Sequence, residues 1–239
     1  MASAGDSITR AYNVDGSYAL RDNVQFSWST GSNAAVKSHY QRILAADAAI
    51  SGHVYNDAAT GAKMSALDNQ LMSAARQNVE YVTVLIGAND LCSASISTMT
   101  PTATFKSQFQ QAMGDFTQAN AKARVFVSSI VNIYDLWAVL HTNASATSTW
   151  QSLQICQSML SPYNTEADRQ AVVTREQEYN KALADVCAQY RQCRWDGLAT
   201  YNFHLSASDV STVDYFHPSF AGQNNLASVT WQAGYWPST

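Results

Sequence analysis

The sequence predicts a three-layer α/β domain built around a central parallel sheet. Two runs, 81–86 and 125–131, are almost continuously apolar, as is typical of parallel strands that are covered on both faces. Segments with apolar residues at helical spacing separate and follow these runs, and strands that alternate with helices form parallel sheets. The chain has no repeat and no linker, and 239 residues suffice for one well-cored domain, so we expect a single domain over residues 1–239.

The first half of the chain leaves little room for an opening strand. Four residues precede Gly5, so this strand is either very short or begins upstream, and we favour the second, with a leader missing. Residues 7–31 are irregular and rich in Asn, Asp and Ser, which indicates a helical turn and a long loop. The pattern then predicts a helix over 36–50, a short strand over 53–56, a loop over 56–61 and a helix that begins near Met64.

The second half contributes the remaining elements of a sheet of about five strands. Residues 125–131 are a buried strand, and 195–198 are a possible last strand. Residues 142–149 are mostly Ser, Thr and Ala, and we interpret them as an exposed connection. The predicted helices lie at 101–121, 134–140 (a short apolar helix or loop), 166–190 and 219–231.

Composition excludes several classes of partner. Charged residues make up 13% of the chain and the net charge is −4, with no run of Lys and Arg, so nucleic acid is not an expected partner. The longest apolar stretch, around 82–87, is too short to span a bilayer. The sequence also lacks the n-region and h-region of a signal peptide. We expect the protein to be a monomer.

The four cysteines indicate an oxidising compartment. Cys187 and Cys193 are six residues apart, a spacing that can close a small loop, and Cys92 and Cys156 remain. An even count suggests two disulfides, and a surface rich in Ser, Thr, Asn and Gln fits an exported protein. The alternative is four buried thiols in a cytosolic protein. A zinc site is less favoured, because no Cys-x-x-Cys occurs and the five histidines are scattered, so no metal and no other cofactor is expected.

Five polar or small residues follow predicted strands and carry candidate chemistry. They are Ser7, Gly61, Asn89, Asp214 and His217. Ligands of open parallel sheets bind beyond the carboxyl ends of the strands, so these residues are expected to meet at one edge. A hydroxyl, a side-chain amide and a carboxylate–imidazole pair are the components of a serine acyl-transfer site.

Each residue has a role in that hypothesis. Ser7 is the nucleophile, His217 is its base, and Asp214, three residues earlier, fixes the tautomer of His217 and stabilises the imidazolium. The side chain of Asn89 and the backbone N–H groups of Ser7 and Gly61 form an oxyanion hole, and Gly61 has no side chain to keep the substrate away.

Structural explanations compete with each role. Ser7 can be a helix N-cap, Asn89 can cap a turn, Gly61 can supply backbone freedom alone, and His217 can be an ordinary loop histidine. His204 with Asp209 is a rival acid–base pair, although it lacks a matching serine motif. The aromatic residues Trp28, Trp137 and Phe216 can belong to the core.

Four motifs, taken in order, resemble the four blocks of the SGNH (GDSL) hydrolase superfamily. They are Gly5-Asp6-Ser7, Gly61, Gly87-Ala88-Asn89-Asp90 and Asp214-x-x-His217. The resemblance implies a flavodoxin-like α/β/α sandwich, a triad of Ser7, Asp214 and His217, and an oxyanion hole of Ser7, Gly61 and Asn89. The departure from the family pattern is the nearly absent first strand.

Within the superfamily, the stretches 26–31, 86–92 and 216–219 resemble the phospholipase B-type branch. A cysteine directly after Asn-Asp-Leu is typical of that branch and supports the disulfide interpretation. We therefore expect the pairs Cys92–Cys156 and Cys187–Cys193.

The expected function is that of a secreted, metal-independent serine ester hydrolase, acting on lipid, lysophospholipid or short- to medium-chain acyl esters. We expect five apolar residues in loops around Ser7 to form the wall of an acyl pocket, because each buried CH₂ of substrate contributes about 0.8 kcal/mol. The alternatives are a carbohydrate acetylesterase and a non-catalytic lipid- or glycan-binding protein, although a binder has no need of an acid–base pair beside a serine. The five pocket residues are Leu91, Tyr134, Leu136, Trp137 and Phe216.

Overall fold

The computed structural model describes residues 1–236, which form an α/β fold around five parallel strands. The strand order is β2-β1-β3-β4-β5, and every neighbouring pair is parallel. This is the flavodoxin-like order of doubly wound sheets, so the predicted fold class is confirmed. The strands are β1 (Ala2–Gly5), β2 (Tyr55–Asn56), β3 (Tyr81–Leu85), β4 (Arg124–Val127) and β5 (Cys193–Trp195).

Helices cover both faces of the sheet. All residues of β3 are buried although alternate side chains point to opposite faces. On one face α2 packs against α4, and α4 packs against α8. On the other face, His39 of α1 lies 2.9 Å from two hydroxyl groups: its Nδ1 contacts Tyr81 Oη of β3, and its Nε2 contacts Thr230 Oγ1 of α9. The helices of the described residues are α1 (His39–Ala46), α2 (Leu67–Arg76), α3 (Ala88–Leu91), α4 (Thr102–Ala119), α5 (Ile133–Leu140), α6 (Ala144–Ser152), α7 (Gln157–Leu160), α8 (Glu166–Cys187) and α9 (Phe220–Ala233).

The first strand is short but fully paired. All four residues of β1 are buried, and they pair with β3 from Ala2 opposite Val82 to Gly5 opposite Leu85. On its other side β1 pairs with β2. A four-residue strand between two neighbours is therefore sufficient to place Ser7 at the carboxyl edge of the sheet.

Residues 142–149 were expected to be an exposed connection, and this prediction is wrong because most of them belong to α6. Asn143 is the N-cap, and its Oδ1 accepts hydrogen bonds from the backbone N–H groups of Ser145 (3.0 Å) and Ala146 (3.1 Å). Ala146 and Trp150 are buried, and Trp150 Nε1 donates to the carbonyl of Tyr215. Packing and the cap stabilise a helix whose Ser- and Thr-rich composition does not favour one.

Several other boundaries differ from the prediction, and two of them have a clear local reason. The helix predicted over 36–50 begins at His39, because Ser38 Oγ accepts from Gln41 N–H (3.1 Å) as its N-cap. The strand predicted over 195–198 lies at 193–195 instead. Asp196 Oδ1 accepts from Leu198 N–H (3.0 Å), and this side-chain bond turns the chain out of the sheet.

The cysteines lie in the expected pairs. Cys92 and Cys156 have an S–S distance of 2.03 Å, and Cys187 and Cys193 have one of 2.01 Å. Among residues 1–236, no helix combines the length and the apolar character needed to cross a bilayer.

Candidate active site

The turn after β1 holds Ser7 in a fixed position. Gly5 has φ = +152°, and a Cβ there would lie 2.3 Å from the carbonyl oxygen of Leu85, so the chain needs glycine at this point. Asp6 Oδ1 accepts from the backbone N–H of Ile8 (2.9 Å). The residues after Ser7 form turns rather than a helix, so Ser7 does not act as a helix N-cap.

The fold brings Ser7 to a carboxylate–imidazole pair at the other end of the chain. Ser7 Oγ lies 2.8 Å from His217 Nε2, although the two residues are 210 positions apart. His217 Nδ1 lies 2.6 Å from Asp214 Oδ2. With Nδ1 donating to the carboxylate, Nε2 is free to accept a proton from the hydroxyl. This arrangement can transfer a proton away from an attacking serine oxygen.

Asp214 is held by four hydrogen bonds. Its Oδ1 accepts from the backbone N–H groups of Phe216 and His217 at 3.0 Å each. Its Oδ2 accepts from His217 Nδ1 and from Asn13 Nδ2, the latter also at 2.6 Å. Burial raises the pKa of Asp214, but the hydrogen bond and charge of His217, followed by the Asn13 bond, outweigh burial and hold the pKa below its ordinary value. The carboxylate is therefore ionised near neutral pH.

Asn89 and the loop that carries Gly61 are in contact. Asn89 lies in the first turn of α3, and its Nδ2 donates to the carbonyl of Ala62 (3.0 Å). A side-chain amide has two N–H donors, so the second is left for another acceptor. Asp90 Oδ2 accepts from the N–H of Met64 (2.8 Å), which also ties the loop to α3.

Gly61 leaves open space in front of its backbone. Its φ is +80°, a conformation that favours glycine, and no atom lies within 4 Å of the position a Cβ would take. A substrate can therefore approach this peptide without meeting a side chain.

Two residues beside Ser7, Asp6 and Tyr12, were not predicted from the sequence to contribute to the site. Asp6 is fully buried, and burial raises its pKa to about 7, while the N–H of Ile8 partly opposes this shift. Its Oδ2 has no hydrogen-bond partner among the described residues. The ring of Tyr12 packs edge-on against that of His217 at a centroid distance of 5.2 Å. Asp6 belongs to the Gly-Asp-Ser motif, but no sequence signal distinguishes Tyr12.

The expectation that five pocket residues lie in loops is wrong for four of them. Leu91 belongs to α3, and Tyr134, Leu136 and Trp137 belong to α5. Leu91 and Leu136 are 0% and 3% exposed, so they are core residues with almost no surface for a ligand. Phe216 does lie in a loop, with its ring 5.1 Å from that of His217.

Tyr134 and Trp137 are partly exposed and contact the start of α8. Tyr134 Oη donates to Glu166 Oε1 (2.9 Å), and the guanidinium carbon of Arg169 lies 4.3 Å from the centre of the Trp137 ring. These contacts fix both rings against α8.

The rival acid–base pair does not form. His204 Nδ1 lies 3.8 Å from Asp135 Oδ1, while Asp209 bonds to Ser206 and Asn225. Trp28 is fully buried, and its Nε1 donates to Thr9 Oγ1 (3.2 Å), so the core interpretation is correct for this residue.

Comparison with known proteins identifies a family for this chain. The model of the GDSL-like Lipase/Acylhydrolase family matches residues 3–224. No curated protein sequence matches the chain.

Several solved structures share the fold at low sequence identity. A putative GDSL-like lipase from Parabacteroides merdae has a TM-score of 0.61 at 14% identity, covering 97% of this chain and 93% of its own. Phospholipase A1 from Streptomyces albidoflavus has a TM-score of 0.57 at 14% identity, covering 98% of both chains. A carbohydrate esterase has a TM-score of 0.52 at 13% identity, covering 96% of this chain and 65% of its own.

Proposed function

This chain belongs to the GDSL-like lipase/acylhydrolase family, and we propose that it is a serine ester hydrolase whose triad is Ser7, His217 and Asp214. The observation that supports this proposal most directly is the continuous line of short contacts from Ser7 Oγ through the imidazole to the Asp214 carboxylate. An ordinary loop histidine has no need of both contacts at once.

In the first half of the reaction, Ser7 Oγ attacks the carbonyl carbon of the ester while His217 Nε2 takes the hydroxyl proton. The imidazolium that forms is stabilised by the ionised Asp214. His217 then donates the proton to the departing alcohol oxygen, which leaves an acyl group on Ser7. In the second half, water attacks the acyl carbon and gives a proton to Nε2, and His217 then returns this proton to Ser7 Oγ as the acid leaves.

The tetrahedral intermediate carries a negative oxygen that needs fixed donors. We assign these to the free N–H of the Asn89 side chain and to the backbone N–H groups of Ser7 and Gly61. The contact between Asn89 and Ala62 supports this assignment, because it holds the amide beside the Gly61 loop before any substrate arrives. Donors that are already in place need no reorganisation during the reaction.

For the substrate we propose lipid, lysophospholipid or short- to medium-chain acyl esters. The support is the family and the aromatic surroundings of the base, since the rings of Tyr12 and Phe216 both contact the His217 ring. Apolar side chains at the base favour an acyl chain over a hydroxyl-rich ligand. Phe216, together with the partly exposed Trp137 and Tyr134, remains our proposal for the residues that contact it.

A carbohydrate acetylesterase is the second candidate, because a carbohydrate esterase shares the fold. A panel of esters from acetyl to palmitoyl, with acetylated sugars, phosphatidylcholine and lysophosphatidylcholine, separates the two. Rising kcat/KM with acyl length supports the lipid proposal, whereas a preference for acetylated sugars contradicts it.

The triad is tested by labelling with a fluorophosphonate probe and by Ser7→Ala. We expect the wild type to be labelled at Ser7 and Ser7→Ala to lose labelling and about 10³- to 10⁶-fold in kcat while remaining folded. Ser219→Ala is a matched control, because Ser219 caps α9 and lies outside the proposed triad. Retention of most esterase activity by Ser7→Ala would refute the assignment, and absence of any labelling would favour a binding protein.

We also propose that the protein is exported and acts as a monomer. The support for export is the presence of two disulfide pairs, which persist in oxidising compartments.

A further inference from the structure

Asn13 contacts the Asp214–His217 pair from the opposite end of the chain. Its Nδ2 donates to Asp214 Oδ2 at 2.6 Å, the same oxygen that accepts from His217 Nδ1. Asn13 and Asp214 are 4% and 3% exposed, so water does not replace this bond easily. Oδ2 therefore has two donors, one from the histidine and one from the loop after Ser7.

The surrounding loop fixes which side-chain atom of Asn13 faces Asp214. The backbone N–H of Leu20 donates to Asn13 Oδ1 at 2.6 Å. An amide whose oxygen accepts from Leu20 must turn its NH₂ group toward the carboxylate. The donor is thus held in place by the loop itself.

This loop maintains an unfavourable backbone conformation around the contact. Ala11, Asn13 and Leu20 have φ of +49°, +53° and +57°, in the left-handed region that side chains other than Asn and Asp rarely adopt. The Nδ2 of Asn23 donates to the carbonyls of Ala11, Tyr18 and Arg21, which stabilises the loop in this form. Residues in strained conformations persist where the surrounding structure holds them, and such positions cluster at functional sites.

We propose that Asn13 is a positioning residue of the ester hydrolase: its amide holds the Asp214 carboxylate so that Oδ2 accepts the Nδ1 proton of His217. This inference rests on the proposed function. With Oδ1 occupied by two backbone donors and Oδ2 by Asn13, the carboxylate cannot rotate away from the imidazole when a substrate displaces the serine hydroxyl. Asn13 acts through Asp214 and His217 and does not touch the reacting atoms.

The test compares Asn13→Gly and Asn13→Asp with the same changes at Asn78. Both asparagines have nearly the same left-handed backbone, φ = +53° and +54°, but Asn78 follows α2 and precedes β3, at the amino edge of the sheet. Glycine keeps the backbone conformation and removes the donor. We expect Asn13→Gly to lower kcat by about 10- to 100-fold with KM nearly unchanged, and the Asn78 variants to keep wild-type kinetics.

The aspartate variant adds a readout that a purely structural role would not produce. A protonated carboxyl at position 13 can still donate to Asp214, whereas an ionised one repels it. The titratable groups around this contact are His217, Tyr12, whose ring packs against that of His217, and the buried Asp6, whose pKa burial raises and the charge of His217 partly lowers. We therefore expect Asn13→Asp to lose activity as pH rises over the range in which the wild type stays on its plateau, and Asn13→Gly to follow the wild-type profile at a lower level.

Activity is measured with p-nitrophenyl esters at a temperature where circular dichroism shows each variant to be folded. Asn13→Asp conserves the side-chain volume. If Asn13→Gly does not fold, the pH profile of Asn13→Asp therefore tests whether Asn13 positions Asp214. A kcat of Asn13→Gly within twofold of wild type, or equal losses in both variants at every pH, would overturn the inference. Retention of most esterase activity by Ser7→Ala would instead reject the proposed function, so the two failures are distinguishable.

Discussion

The two disulfide pairs differ in how much of the chain each encloses, and this difference gives a quantitative prediction. Cys92–Cys156 spans 64 positions, whereas Cys187–Cys193 spans 6. In the chain-entropy model, a crosslink destabilises the unfolded state by an amount that grows with the logarithm of the enclosed length. At 25 °C the model gives about 4 kcal/mol for the long loop and about 2 kcal/mol for the short one.

The folded state should survive loss of the longer bridge. Ser158 Oγ donates to the carbonyl of Leu91 (2.6 Å), and the N–H of Ser158 donates to the carbonyl of Ser93 (2.9 Å). These bonds join α7 to the end of α3 beside Cys92. The free energy lost on removing the bridge should therefore arise mainly from the unfolded ensemble.

The experiment compares two double variants, Cys92→Ser with Cys156→Ser and Cys187→Ser with Cys193→Ser, by urea unfolding. We expect the first to lose about 2 kcal/mol more free energy of unfolding than the second. It should keep a kcat near that of the wild type, because the two Ser158 bonds still hold the end of the short helix that carries Asn89. The second variant serves as the control and should keep its kcat.

Equal losses in the two variants, or a larger loss in the short-loop variant, would refute the entropic reasoning. Four alkylatable thiols in native protein isolated without reductant would reject the bridges themselves.

Three further predictions concern single residues. Asn89→Leu should lower kcat about 10²- to 10³-fold with intact folding, and an unchanged kcat would remove Asn89 from the oxyanion hole. Glu176 is fully buried, and burial raises its pKa well above the ordinary value, although the N–H of Ile133 opposes this shift. The contribution of Glu176 to stability is therefore complete below its unfolded-state pKa and is lost as pH rises toward its folded-state pKa. Because glutamine does not titrate, Glu176→Gln should flatten the decline of the urea midpoint on the alkaline side. An equal decline in both proteins would contradict this prediction. Trp137→Ala should reduce kcat/KM for long acyl esters more than for acetyl esters, and equal reductions would exclude a specific role in acyl binding.

Some elements of this fold are encoded in their own segment of sequence, whereas others depend on contacts with distant segments. The strand over 81–86 and the helices over 101–121 and 166–190 were predictable, because each carries a long apolar pattern that its own sequence makes plain. The helix over 144–152 was not, because its stability depends on the burial of Trp150 against the loop that carries Tyr215. A sequence pattern indicates a buried helix face only where apolar residues recur at regular spacing.

The site divides in the same way. The sequence alone determined the family and the identity of the candidate residues. Gly-Asp-Ser, Gly-Ala-Asn-Asp and Asp-x-x-His each lie within a few consecutive residues, so their chemistry can be inferred without knowing the fold. Only the tertiary structure decided that Leu91 and Leu136 are core residues and that Asn13 bonds to Asp214 across 201 positions. Burial and long-range hydrogen bonds depend on which segments the fold packs together, and no short stretch of sequence carries that information.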